Sequence, residues 1–277
     1  MDQSEPMTQQ AKQVALITGV SSGIGRATAL RLSNAGYRVF GTSRRQIVSG
    51  SADIEDVVLD VTLDGSVTDG IAEVLRQAGR IDVLVNNAGI GITGGAEESS
   101  PEQARVLFET NVFGAMRVTN AVLPQMRRQG RGRIINIGSV LGFIPAPFSA
   151  IYAATKHALE GYSESLDHEM RGQGIRISLI EPAYTRTSFE ANMLRPDRPM
   201  PEYDAARKRT ADLLKDVLAD ADEPSTVADV VLKAVRDPRP KHRYPAGKLA
   251  SRLAVVRRFV PASMFDSSLR KQMRLDV

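Results

Sequence analysis

The run Val14-Ala15-Leu16-Ile17-Thr18-Gly19-Val20-Ser21-Ser22-Gly23-Ile24-Gly25 decides the fold. Its opening is a short apolar stretch, the pattern of a strand buried on both faces. Gly19 and Gly23 let the backbone turn tightly and come close to a ligand. Gly25 lets the next helix pack near the sheet. That helix is expected over 26–35, with Gly36 as its C-terminal stop. Exposed backbone N–H groups at its start suit a pyrophosphate. Glycines punctuate many turns, so the cluster says little by itself. Its place directly after the first strand makes dinucleotide binding the stronger reading.

Outward from this unit the chain keeps alternating. Further strands are expected at 37–42, 56–59, 81–85, 133–137 and 175–180. Helices are expected at 66–78, with Ser66 as N-cap, at 100–128, opened by Ser100 and Pro101, and around Tyr152, ending near 171. Such alternation implies an α/β chain with a parallel sheet covered on both faces. Short βα loops and right-handed crossovers then give a single-domain, doubly wound Rossmann fold. Past Pro182 the rhythm changes, and 183–202 reads as a proline-rich, irregular excursion. Helices are expected at 203–218 and 226–235, and an edge strand at 243–247, where Pro245 is tolerable.

The 277 residues, 42% hydrophobic and 25% charged, are ordinary for a globular chain. There is no cysteine, which excludes disulfides, thiol nucleophiles and thiolate metal sites. His157, His168 and His242 form no metal-ligand spacing, so no metal is expected. The polar 1–13 segment lacks an h-region, and no apolar run approaches the roughly 20 residues of a membrane span. The expectation is a cytoplasmic protein.

The net charge is +4, yet 241–277 carries nine Lys or Arg against Asp266 and Asp276. That tail is too interleaved with apolar residues for a nucleic-acid arm. Leu249, Leu253, Val256 and Val260 fall at helical spacing, with Arg252, Arg257 and Arg258 off the stripe. The stripe is read as docking on its own domain or a partner subunit, in preference to a membrane surface.

The chemistry centres on Ser139, Tyr152 and Lys156. Tyr152 and Lys156 are four apart and share one helix face. A phenol with a pKa of about 10 is a poor acid at neutral pH, and an ammonium beside it favours the phenolate. With Ser139 holding a substrate oxygen, the group reads as a device for moving a proton on and off an alcohol or carbonyl.

With the glycine spacing Gly19-x-x-x-Gly23-x-Gly25, Asn86-Asn87-Ala88-Gly89, Asn111 and Tyr152-x-x-x-Lys156, the chain resembles the short-chain dehydrogenase/reductase family. The resemblance covers roughly 12–187 and is similar to the hydroxysteroid and retinol dehydrogenase branch. It implies a catalytic set of Asn111, Ser139, Tyr152 and Lys156. Tyr152 would exchange the hydroxyl proton and Ser139 would orient the substrate oxygen. Lys156 would lower the Tyr152 pKa and hold the nicotinamide ribose, and Asn111 would fix a water leading to Lys156. It implies a cofactor site of Gly19, Ser21, Ser22, Gly23, Ile24, Gly25, Ser43, Arg44, Asp60, Val61, Asn87, Ala88, Gly89, Tyr152, Lys156, Pro182 and Thr187. Ala183 stands where the family has a glycine.

An acid at the end of the second strand would bond the ribose diol of NAD. Here Ser43-Arg44 stands instead, and a guanidinium there pairs with a 2′-phosphate. NADP(H) is therefore favoured over NAD(H). Substrate contacts are expected from Ser139, Leu141, Phe148, Tyr152, Tyr184 and Phe189, an apolar lining suited to a steroid, retinoid or lipid-like alcohol or ketone. The organisation expected is a flexible N-terminus at 1–12, an oxidoreductase domain at 13–247 with a substrate lid at about 183–222, and a basic helical extension at 248–277. Family analogy implies a homodimer or homotetramer packed through the Asn111 and Tyr152 helices. The competing readings are a non-catalytic NADP-binding regulator, an NAD-dependent alcohol dehydrogenase with a different small substrate, and an epimerase or dehydratase relative.

Overall fold

The computed structural model describes residues 12–46, 53–273 and 275. Apart from Lys12, the expected flexible N-terminus lies outside them. The first unit is β1 (Val14–Thr18), α1 (Gly23–Asn34) and β2 (Arg38–Ser43). Then come β3 (Glu55–Val58), α2 (Asp64–Ala78), β4 (Val83–Asn86), α3 (Pro101–Phe108) and α4 (Gly114–Gln129). The second half holds β5 (Gly132–Ile137), α5 (Ala150–Met170), β6 (Ile175–Pro182), α6 (Asp204–Ala219), α7 (Pro224–Arg236) and β7 (Arg243–Ala246). Two further helices, α8 (Lys248–Phe259) and α9 (Ala262–Gln272), close the chain.

The seven strands are parallel, in the order β3-β2-β1-β4-β5-β6-β7. The order reverses between β1 and β4, and ligands of such sheets sit outside the carboxyl ends of the strands at that point. The pleat alternates side chains between the two faces. Val14 and Leu16 join the layer built by α2, α4 and α5, through residues such as Ile71, Val122 and Leu166. Ala15 and Ile17 join the opposite layer, with Leu32 of α1 and Val231 of α7. A strand that must satisfy both layers has no polar face, which explains the continuous apolar run.

A buried polar chain ties these layers at the level of the site. Asn86 Nδ2 donates to Thr119 Oγ1 and to Asn136 Oδ1, both at 2.9 Å. Asn136 Nδ2 donates to Ser163 Oγ at 2.8 Å. One amide ladder thus fixes β4, α4, β5 and α5 relative to one another, and buried polar groups with partners specify a unique packing.

Three expectations are corrected. Ser66 is not an N-cap: α2 starts at Asp64, and the Ser66 hydroxyl accepts from the Asp60 N–H at 2.9 Å. The helix expected over 100–128 is not continuous. Ser100 caps it and accepts from Gln103 N–H, but a π-helical turn, Glu109–Phe113, separates α3 from α4. The extra residue in that turn rotates Asn111 into the interior. The tail stripe divides: Leu253 and Val260 dock beside Ala250 and Phe265 against Val140 and Ile144, while Leu249 and Val256 face solvent.

The 183–203 excursion is irregular but clamped to the loop after β4. Ile92 bridges Leu194, Ser100 N–H donates to Asp197 Oδ1 at 2.8 Å, and Met200 N–H donates to the buried Glu98 at 2.8 Å. Arg207 of α6 pairs with the same Glu98.

Candidate active site

The glycine turn follows β1 directly. Gly19 and Gly23 both take positive φ, +74° and +58°, which side chains with a Cβ rarely adopt. A Cβ on Gly25 would lie 2.2 Å from the Gly19 carbonyl oxygen and 2.4 Å from Asn87 Nδ2. Asn87 Nδ2 donates to the Thr18 and Gly19 carbonyls at 2.9 and 3.0 Å, and the Asn87 and Ala88 N–H groups both donate to Thr18 Oγ1. The Asn87 side chain is thereby used as a brace between the turns after β1 and β4. Ser22 precedes α1 without capping it, and the first turn of α1 carries no acid. That helix start keeps its N–H groups and its positive dipole end for an anion.

Around this turn stand the other expected cofactor residues. Ser43 ends β2, and its hydroxyl donates to the Arg45 carbonyl. Arg44 is exposed beside it. Asp60 Oδ1 accepts from the Thr62 N–H and hydroxyl at 2.9 and 2.7 Å, and Val61 is buried against Gly114. Pro182 ends β6. Thr187 lies against Gly23, 3.2 Å from where a Cβ would sit. The open helix start, the positive-φ glycines and the absence of an acid at the end of β2 fit a dinucleotide across the β1/β4 switch.

The chemical groups converge beside it. Ser139 follows β5 and Tyr152 lies in the first turn of α5, and the Ser139 hydroxyl is near enough to favour the ionised phenol. Loss of solvent around the phenol pushes its pKa above the ordinary tyrosine value, the Ser139 hydroxyl opposes this, and the Glu190 carboxylate adds to the rise. The Tyr152 and Phe189 ring centres are 5.8 Å apart, so the excursion after β6 roofs the phenol.

Lys156 is buried, and its Nζ stands 5.7 Å from the centre of the Tyr152 ring and donates to the Ile137 carbonyl at 2.8 Å. Burial pushes its pKa down to about 8, with Glu160 pulling it back up. The expected depression of the Tyr152 pKa by Lys156 is therefore not present in this geometry, where desolvation dominates.

Asn111 Oδ1 accepts from Ile90 N–H at 2.8 Å, and Nδ2 donates to Ile90 O at 2.9 Å and to Thr155 Oγ1 at 3.1 Å. Both amide hydrogens are used. Only the second lone pair of Oδ1 is left for a water.

The expected substrate residues separate into two groups. Phe189 faces Tyr152. Phe148, the one non-glycine residue with positive φ (62°) among those described, stacks edge-on with Tyr203 at 6.4 Å. Tyr184 is exposed, and Leu141 turns toward the Val140, Ile144 and Phe265 cluster under α8 and α9.

Sequence reasoning missed an acid cluster below Ser139. Arg243 of β7 pairs with Glu160 (2.5 Å), Glu164 (2.8 Å) and Glu181 (3.1 Å). Glu160 and Glu181 are buried, and burial raises both carboxyls; Glu181 adds to the rise of Glu160 and Glu164 to that of Glu181, while Arg243 opposes both. The available signal was Glu160, four residues after Lys156 on the same helix face.

Among the described residues no group of His, Asp and Glu could hold a metal.

Comparison with known proteins agrees with this geometry. A family model described as short chain dehydrogenase matches residues 13–198. The chain is 34% identical over 261 residues to a 3-ketodihydrosphingosine reductase of Bacteroides thetaiotaomicron, covering 93% of this chain and 97% of that protein. A short-chain dehydrogenase structure from Streptomyces avermitilis superposes with a TM-score of 0.82 at 32% identity, covering 96% of this chain and 98% of that one. Of two solved relatives at 26% identity, ElxO was solved with NADP bound (TM-score 0.72; 85% and 97% covered) and one from Burkholderia phymatum in complex with NAD (TM-score 0.73; 84% and 88% covered). The chain belongs to the short-chain dehydrogenase/reductase family, oxidoreductases that act on CH–OH groups with a nicotinamide cofactor.

Proposed function

We propose that this protein interconverts a ketone or aldehyde and the alcohol of a hydrophobic, lipid-like substrate, using NADP(H). The observation that carries the reading is the grouping of Ser139, just past β5, with Tyr152 in the first turn of α5, Phe189 against its ring and Lys156 Nζ 5.7 Å from the ring centre. Bound nicotinamide supplies or accepts the hydride. Ser139 and Tyr152 hold the substrate oxygen, and Tyr152 gives or takes its proton. With its pKa raised the phenol holds its proton at neutral pH and releases it only to a stronger base, such as the alkoxide that develops on the substrate oxygen as hydride arrives. Lys156, poised near neutrality at about 8, holds the ribose side and restores charge balance around the phenol. Asn111 holds the loop that carries Gly89 and Ile90 against α5.

NADP(H) follows from Ser43 and Arg44: no carboxylate competes for the ribose, and an exposed guanidinium is at hand for a 2′-phosphate. The hydrophobic substrate follows from Phe148, Phe189 and the apolar residues of the excursion. Similarity to a 3-ketodihydrosphingosine reductase favours a long-chain ketone within that class. Exposed Val106 and Phe113, on the run of helix that holds Asn111, support a homo-oligomer packed through that face. The reaction is placed in the cytoplasm, which the absence of cysteine fits. The test is NADPH oxidation against 3-ketodihydrosphingosine, retinal, steroid ketones and short-chain aldehydes. Turnover should rise with chain length. Equal or greater turnover of the short aldehydes would contradict the substrate class.

A further inference from the structure

We propose that α8 and α9 form an anionic-membrane-binding face beside the substrate loop. These two helices carry apolar residues on two sides. One side, with Ala250, Leu253, Val260 and Phe265, is docked on Val140 and Ile144. The other is bare: Phe259 is 72% exposed, Met264 63%, Val255 58%, Leu249 39% and Val256 38%. Arg252, Val255, Val256 and Phe259 stand at i, i+3, i+4 and i+7, one stripe along a helix. This stripe is exposed, so packing among the described residues does not account for it. Exposed apolar residues gathered in one place mark an interaction site.

Charge decides the occupant. Lys248, Arg252, Arg257, Arg258, Arg270 and Lys271 lie on these two helices against Asp266 alone. Arg252 sits within the stripe itself. A two-fold contact between copies brings like patches together and would face these cations with their own kind. An anionic lipid surface meets both halves of the pattern. Its headgroups take Lys248, Arg252, Arg258 and Lys271, and Phe259 and Met264 enter the interface as protruding side chains.

The position adds a reason for such binding. The docked side of α8 and α9 covers the turn that follows Ser139, and Arg257 Nε donates to the Phe143 carbonyl at 3.2 Å. A bilayer held on the outer side would lie one helix thickness from the residues that flank the reacting oxygen. A hydrophobic substrate could then reach the site from lipid without crossing water.

The test is co-sedimentation of the full chain with phosphatidylcholine vesicles containing about 30 mol% phosphatidylserine, and with pure phosphatidylcholine vesicles, at low and high salt. The chain should partition to the anionic vesicles at low salt and much less to the neutral ones. Phe259→Ser with Met264→Ser should weaken partitioning about tenfold or more, and Arg252→Glu with Arg258→Glu should abolish its salt dependence. Neither pair should change turnover of a water-soluble aldehyde. Because the readout is partitioning, it stands apart from the substrate reading. No binding to anionic vesicles at low salt overturns the proposal. So does unchanged partitioning of the Ser variant, or an oligomer in solution that this variant dissociates, which would make the face a contact between copies.

Discussion

Replacing Asn111 with Leu removes a side chain of similar size whose polar atoms all have partners. Three hydrogen bonds are lost, two to the Ile90 backbone and one to Thr155. Each net bond contributes roughly 0.5–1.5 kcal/mol, and a buried group left unpaired costs about 1–3 kcal/mol. Ile90 N–H and C=O are partly buried, so the lower half of those ranges applies and the sum is about 2–4 kcal/mol. The π-helical turn has no other side chain bonding the loop that carries Gly89. Its release should shift the ligand side of the β4 turn, and a shift near 1 Å costs on the order of a hundredfold in rate. The assay is denaturant unfolding alongside kcat with saturating cofactor. A double-mutant cycle with Thr155→Val should return a coupling of about 1 kcal/mol for the 3.1 Å bond. A loss of stability under about 0.5 kcal/mol with unchanged kcat would refute the assignment of Asn111 as the anchor of that loop.

Other outcomes follow from the same geometry. Gly25→Ala places a methyl group 2.2 Å from the Gly19 carbonyl, so dinucleotide binding measured by fluorescence titration should be lost. Retention of wild-type affinity would contradict the close-approach reading. Ser43→Asp with Arg44→Leu should move the ratio of kcat/KM toward NAD, since a carboxylate then meets the ribose diol, and an unchanged ratio would oppose the NADP assignment. The Glu160 carboxyl is raised in the folded protein by burial and by Glu181. Its contribution to stability is therefore full below the ordinary carboxylate pKa and is lost as pH rises through the raised value. Glu160→Gln should flatten the fall in Tm between the ordinary carboxylate pKa and the raised value of about 8, and parallel profiles for the two proteins would contradict that sign.

The parts of this molecule written in local pattern were readable from sequence. β1 and the glycine turn are, because a doubly buried strand and positive-φ turns restrict residue types at each position. Ser100 as a cap is, because its hydroxyl acts within its own turn. Ser66 misled, since the same residue type can accept from a loop N–H as readily as from its own helix. The π turn at Asn111 is invisible to periodicity, because one extra residue shifts the helix phase without changing composition. Glu160, Glu181 and Arg243 come from α5, β6 and β7, and only the order of strands in the sheet brings them together. The tail stripe was seen, but which half of it docks depends on what Val140 and Ile144 leave open. Roles assigned to Tyr152 and Lys156 from spacing assumed that their charges dominate. Burial under Phe189 makes desolvation the larger effect.

The most direct measurement is hydride transfer in a single turnover by Tyr152→Phe. The enzyme and NADPH are mixed rapidly with a reducible long-chain ketone, and cofactor affinity is measured separately. Removing the hydroxyl leaves the ring against Phe189, so NADPH should bind as in the wild type. The transfer step should slow by about 10²–10⁴-fold. A variant that transfers hydride at the wild-type rate would contradict the account, because the oxygen proposed to deliver the proton would then be dispensable.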